Sequence, residues 1–316
     1  MPLPMRSAAA AAALLAASLS LCLPAAARAD DDDTAPARHW HDQIANAKDA
    51  PCRSNAACAA AGVVALSKGR FADAGKLVDT ELMLAVADFM MADTPARRDA
   101  GVARIAMAFV HRGDIEAQQQ RFVAARAWYR IALDQRWRTA TSPGVPGAST
   151  QRVFGVAGER LAAIATRDVV AGLPASGATY RAPTWAGPSN DVPLAPVKGR
   201  PGVYRLNTEF LYPTLPSDGE LSANLGDLDA NVRFFDGVAR IPVALAPGND
   251  DSAPIDATRR IADTAPYAKD GRCLIELRLS EPETLTIKTI GDETACGFGH
   301  NVSADGIYRL TDTHAK

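Results

Sequence analysis

The apolar residues of this 316-residue sequence recur at helical spacing up to about residue 168 and alternate beyond residue 200, and no single layer of secondary structure satisfies both periods. In the first stretch, Phe71, Ala74, Leu77, Val78, Leu82 and Ala85 share one helical stripe, and Phe122, Ala125, Tyr129, Ala132 and Gln135 trace a second. Asp93-Thr94-Pro95 reads as a helix start, with Thr94 as N-cap and Pro95 in the first turn. That helix should run through Ile105 and Phe109 toward His111 and end at Gly113. Ser142-Pro143-Gly144-Val145-Pro146-Gly147 breaks the next one before a last helix near Gln151–Ala165.

In the second stretch, Cys273, Ile275, Leu277 and Leu279 alternate with Leu274, Glu276, Arg278 and Ser280, and Leu285 and Ile287 continue the pattern after a Ser280-Glu281-Pro282-Glu283 turn. Asp-Gly pairs at 218–219, 236–237, 270–271 and 305–306 punctuate it. The pair at 236–237 lies between Val232–Phe235 and Val238–Ile241 as a hairpin signal. Between the two regimes Pro174, Pro183, Pro188, Pro193 and Pro196 block helix continuation and ladder pairing. The expected fold is therefore α+β in two separate domains. All-α helical hairpins occupy residues 30–168, a proline-rich linker 169–200, and a small antiparallel β sheet or barrel 201–312, able to fold by itself.

Residues 1–29 read as a signal peptide: Arg6, an apolar run from Ala8 to Leu23, Pro24, then Ala27-Arg28-Ala29 ahead of Asp30. A retained anchor and lipid attachment at Cys22 are the rival readings; alanine dominates the run, and Leu21 stands where lipid sites carry a small residue. Export to the periplasm or medium follows, with no membrane span after cleavage. The whole sequence has 34 basic and 36 acidic residues; a leader holding two arginines and no acid leaves 32 against 36, a charge of −4. Such a balance disfavours nucleic acid as a partner.

Cleavage would leave four cysteines, Cys52, Cys58, Cys273 and Cys296, which allow three disulfide connectivities. Proximity in the chain favours Cys52–Cys58 and Cys273–Cys296, one bridge in each half. Neither spacing is that of a zinc site.

No catalytic constellation emerges, and no cofactor or metal is expected. His39-x-His41 beside Asp30–Asp33 has donors for a divalent ion on flexible flanks, and His111 reads as a dipole partner near a helix end. His300 and Ser303 lack a nucleophile elbow, and Gly297-x-Gly299 falls short of a dinucleotide turn. Glu276, Glu281 and Glu283 are candidate acids only if space brings them together. Trp128, Tyr129 and Trp137 are expected as an aromatic cluster on one helix, in the core or as anchors for a partner.

Two resemblances go further. Gly113, Phe122, Ala125, Tyr129 and Ala132 resemble the helical hairpin of the tetratricopeptide family, and Gly62, Gly69, Phe71 and Ala74 echo it. Val78 replaces the aromatic, Glu81 falls on a small-residue position, Arg112 and Glu116 depart from the pattern, and the copies lie 51 residues apart rather than about 34. A plain helical bundle is the alternative. The end of the chain, Cys296-Gly297-Phe298-Gly299 with Gly306-Ile307-Tyr308, resembles a small β domain of secreted bacterial proteins found near LprI-type lysozyme inhibitors. Gly202-Val203-Tyr204-Arg205 echoes Gly306-Ile307-Tyr308-Arg309, which suits pairing of first and last strands. The function expected is a non-enzymatic protein-binding or scaffold module with a protein partner in the cell envelope. An inhibitor or binder of a cell-wall hydrolase comes second, and a glycan hydrolase third.

Overall fold

Small residues and two well-formed caps set the helical half. A computed structural model describes residues 34–134, 146–184, 189–243, 253–268, 272–291, 293–298 and 302–315. Among them six helices come first: α1 (Ala35–Asn46), α2 (Asn55–Ser67), α3 (Phe71–Met90), α4 (Pro95–Gln118), α5 (Phe122–Leu133) and α6 (Ala148–Ala163). Ser54 caps α2 through the amide of Ala57, and Thr94 caps α4 through that of Arg97, with Pro95 in the first turn. The N-terminus of α6 is capped from another helix: Asp99 of α4 accepts from the amides of Ser149 and Thr150 and from the Thr150 hydroxyl. Although burial opposes ionisation, those hydrogen bonds, that of the Thr150 hydroxyl first, hold the Asp99 carboxyl below the usual range.

Helix α4 does not end at Gly113. It continues to Gln118, and Gly113 is instead a contact point at which an added Cβ would lie 2.4 Å from the Tyr129 ring. The α2–α3 and α4–α5 hairpins share one turn geometry. Gly69 and Gln120 both have positive φ, 69° and 60°, and the Arg70 and Arg121 amides donate back to Ala65 and Glu116. Equivalent positions in the two hairpins are thus 51 residues apart in structure as well as in sequence. Cys52–Cys58, with 5.2 Å between Cα atoms, ties the segment before α2 to its first turn.

The β half is a nine-stranded sheet in the order β5-β7-β8-β9-β1-β2-β3-β4-β6. Its strands are β1 (Ala178–Pro183), β2 (Ser189–Pro196), β3 (Tyr204–Thr214), β4 (Ser222–Val232), β5 (Val238–Val243), β6 (Ile255–Ala257), β7 (Cys273–Glu281), β8 (Thr284–Gly291) and β9 (Gly306–Asp312). Pairing is antiparallel except between β4 and β6. The sheet curls until it nearly closes: β5 touches β6, and Arg240 of β5 donates to the Ile261 carbonyl beyond β6. Tyr180, Leu194, Leu206, Phe210, Ile275, Leu285, Tyr308 and Leu310 fill the interior, and the Cys273–Cys296 bridge is buried among them.

Three expectations need correcting. Residues 169–200 are not a linker, because β1 and β2 lie inside them, near the middle of the sheet. Pro193 is tolerated because β3 pairs with β2 only over Leu194–Pro196, so a missing N–H at 193 interrupts no ladder on that side. Where the backbone ladder stops, the Asn190 side chain accepts from the Leu211 amide and the Thr208 hydroxyl donates to the Asp191 carbonyl. The last strand pairs with β1, Tyr180 opposite Leu310, and not with the Tyr204–Arg205 segment, which belongs to β3 between β2 and β4. Asp236-Gly237 forms the expected tight turn, both residues at positive φ, but the only bridge across it is Phe235 to Val238; β5 takes β7 as partner.

Candidate functional site

Residues 34–316 make one compact unit; α5 packs along β9, with Asp134 and Arg309 paired at 3.7 Å, and two further contacts between the helical and β halves frame a cleft. At the first, Arg126 of α5 meets Glu283 in the β7–β8 turn, with side chains 1% and 2% exposed. Nε and Nη2 of Arg126 each donate to one oxygen of the carboxylate, Nη1 donates to the Ile164 and Arg167 carbonyls and Nη2 also to that of Asp168, and Arg130 adds a contact of 3.1 Å to Glu283. A buried pair this fully hydrogen-bonded offsets its own desolvation, whereas either partner left alone would be strongly unfavourable. At the second, the β3–β4 tip rests on α1 and its neighbours: Leu215 and Leu221 pack against the cluster containing Trp40, and Gly219 lies against the His39 ring.

The sheet order places β9, β1 and β2 between these two contacts, and a cleft lies over them beneath α4 and α5. Its larger part, about 740 Å³, is lined from the helices by Arg112, Glu116, Arg121 and Trp128 and from the strands by Thr179, Arg181 and Asp191. An adjoining groove of about 340 Å³ is more apolar, with Val78, Leu82, Met83 and Phe109. Arg112, Trp128 and Arg181 line both and form the ridge between them.

Trp128 is held there by stacking. Its ring lies 5.9 Å from that of Phe109 at 14°, and the Arg112 and Arg181 guanidinium carbons stand 5.9 and 5.5 Å from its centroid. Each arginine is oriented in turn by carboxylates. Arg181 of β1 is opposite Asp191 of β2 in the register and binds it with two hydrogen bonds of 2.6 and 2.5 Å. Arg112 donates to Asp79 at 3.2 Å, while its Nε is buried without a hydrogen bond among the described residues. Arg121 binds Glu116 at 2.5 Å. Two lining residues, Gln120 and Asp168, hold positive φ without being glycine, a conformation that costs energy and recurs beside binding sites.

Of the two described members of the aromatic cluster expected on one helix, Trp128 lines the cleft and Tyr129 does not. Tyr129 is 1% exposed and donates to Asp114 at 2.7 Å, and burial together with that carboxylate pushes its phenol far above the usual range. Trp137 lies outside the described residues. His111 is not at a helix end: it sits within α4 and bonds both oxygens of the buried Glu81 carboxylate, at 3.0 and 2.9 Å. His39 is occupied by Gly219 and Gln43, and His41 by Asp42 and Asp88; among the described residues no three His, Cys, Asp or Glu side chains gather as a metal site. His300 lies outside them. Glu276 and Glu283 are each clamped by two arginines in different parts of the sheet. Sequence reasoning missed Arg181, which the proline-rich stretch concealed. Arg112 and Glu116 had already stood out as departures from the repeat pattern, and both face the cleft.

Both disulfides form in the favoured pairing, and no helix among the described residues is long and apolar enough to cross a membrane. The class that fold and site define is a helical-hairpin layer set against a nearly closed, disulfide-bonded β sheet. Comparison with protein-family models, curated proteins and solved structures gives no match to this chain.

Proposed function

We propose that the chain is a non-enzymatic protein-binding module whose cleft takes an extended segment of a protein partner. One observation carries this: two adjoining spaces of opposite character share the Arg112–Trp128–Arg181 ridge, so an elongated ligand with an apolar and a polar end is accommodated better than a compact one. Stacked Trp and Arg side chains are the residues that most often dominate such recognition. The hairpins α2–α3 and α4–α5, with their shared turn, support a tetratricopeptide-like reading of the helical layer, a scaffold suited to peptides. The two disulfides support an oxidising location, in the periplasm or outside the cell.

Selection of displayed random peptides against the whole chain tests the reading. Enriched peptides should bind more weakly, by about tenfold or more, to Met83→Glu at the apolar end and to Arg121→Gln at the polar end. Peptides that bind both variants as tightly as the parent would place recognition elsewhere.

A further inference from the structure

A second pocket, sharing no lining residue with the cleft, lies at the end of the sheet where β5, β7 and the segment after β6 converge. It encloses about 240 Å³ and is lined by Arg240, Arg259, Arg260 and Arg278, with Asp236 and the apolar side chains of Phe235, Val238 and Ile261. The ladder explains how they meet. Arg240 is opposite Glu276 in the β5–β7 register, and Arg278 follows two residues along β7, so all three side chains share one face. Arg240 and Arg278 clamp the two Glu276 oxygens, at 2.8 and 2.7 Å, and Arg260 binds Asp236 at 2.7 Å. The Arg240 bond to the Ile261 carbonyl brings the 259–261 segment alongside.

Among the described residues, four guanidinium groups therefore face Glu276 and Asp236, with Asp256 acting on Arg259 through its charge, which leaves an excess of positive charge in a sequence whose overall charge is −2. Arg259 is exposed and makes no hydrogen bond among the described residues, and Arg278 is half exposed. Both retain donors for a further acceptor. Planar guanidinium forks match the oxygens of a tetrahedral oxyanion, and a phosphate monoester carries the negative charge that such an excess favours.

We propose that this pocket is an anion site for a phosphoryl group, free or as the headgroup of a lipid. Titration calorimetry of the whole chain with inorganic pyrophosphate, and sedimentation with phosphatidic acid vesicles against phosphatidylcholine vesicles, test it. Saturable binding to either probe should fall at least about tenfold in Arg259→Gln and further in Arg259→Gln/Arg278→Gln, and stay unchanged in Arg53→Gln. Binding of pyrophosphate alone assigns a soluble ligand, and binding of the vesicles alone assigns a lipid. Arg259 is exposed and has no hydrogen bond among the described residues, only the charge of Asp256 nearby, so its variant reports on the pocket more than on folding. No saturable binding of either probe up to about 10 mM phosphoryl groups, or binding unchanged in Arg259→Gln, would overturn the proposal.

Discussion

His111 and the buried Glu81 form a pair in which the imidazole is the member whose titration shifts. Burial disfavours the imidazolium, but the hydrogen bond that it donates to Glu81 and the charge of that carboxylate, with Asp114 adding to it, raise His111 above its ordinary value. A raised basic group stabilises the fold fully below its unfolded value of about 6.5 and loses that contribution as pH rises through the folded value. The melting temperature should therefore decline from pH about 6.5 upward, and His111→Gln should flatten that decline; a parallel pH profile in the variant would show that the pair is not its source. Glu81 stands where the hairpin pattern asks for a small residue, and its buried carboxylate facing His111 is the physical reason for that departure.

At the scale of elements, close approach and cross-linking separate positions that look alike in sequence. Gly113 and Gly158 are both glycines inside helices, yet a Cβ at 113 meets the Tyr129 ring at 2.4 Å and one at 158 meets nothing within 4 Å. Gly113→Ala should destabilise by about 1–3 kcal/mol through overpacking. Gly158→Ala should be neutral or stabilise by about 0.5–1 kcal/mol through helix propensity, as read by denaturant unfolding. The disulfides differ in the loop each closes, 23 residues for Cys273–Cys296 against 6 for Cys52–Cys58. Chain entropy then gives about 3 kcal/mol for the longer and about 2 kcal/mol for the shorter, so Cys273→Ala should lower the melting temperature more than Cys52→Ala. Equal losses would mean that local packing, not loop closure, sets the effect.

For the whole molecule, the expectation of two independent domains meets the Arg126–Glu283 pair. Glu283→Ala would leave Arg126 buried without its carboxylate and should cost about 3–5 kcal/mol. The near-ultraviolet signal, to which both halves contribute tyrosines, should be lost in one transition; two separated transitions would restore the two-domain view. A fragment spanning 201–312 lacks β1 and β2, so β9 and β3 would each lose a neighbouring strand and the interior its Tyr180, Val192 and Leu194. It should show no protected amides in hydrogen exchange.

What the sequence determined by itself was local. Helical and alternating periods, the Thr94 cap, the β7–β8 turn and the pairing of near neighbours among four cysteines depend on residues close in the chain, and each is read from spacing. Tertiary structure decided the rest. β1 and β2 are strands because their neighbours on both sides supply partners that outweigh the prolines, and Asn190 and Thr208 complete the bonds that the ladder omits. The cleft depends on Arg181, Trp128 and Arg112 meeting across more than fifty residues of chain, and the arginine pocket on a β5–β7 register that no local pattern encodes. Contacts of that kind are fixed by which surfaces remain to be buried once the local elements exist, a property of the assembled molecule and not of any one segment.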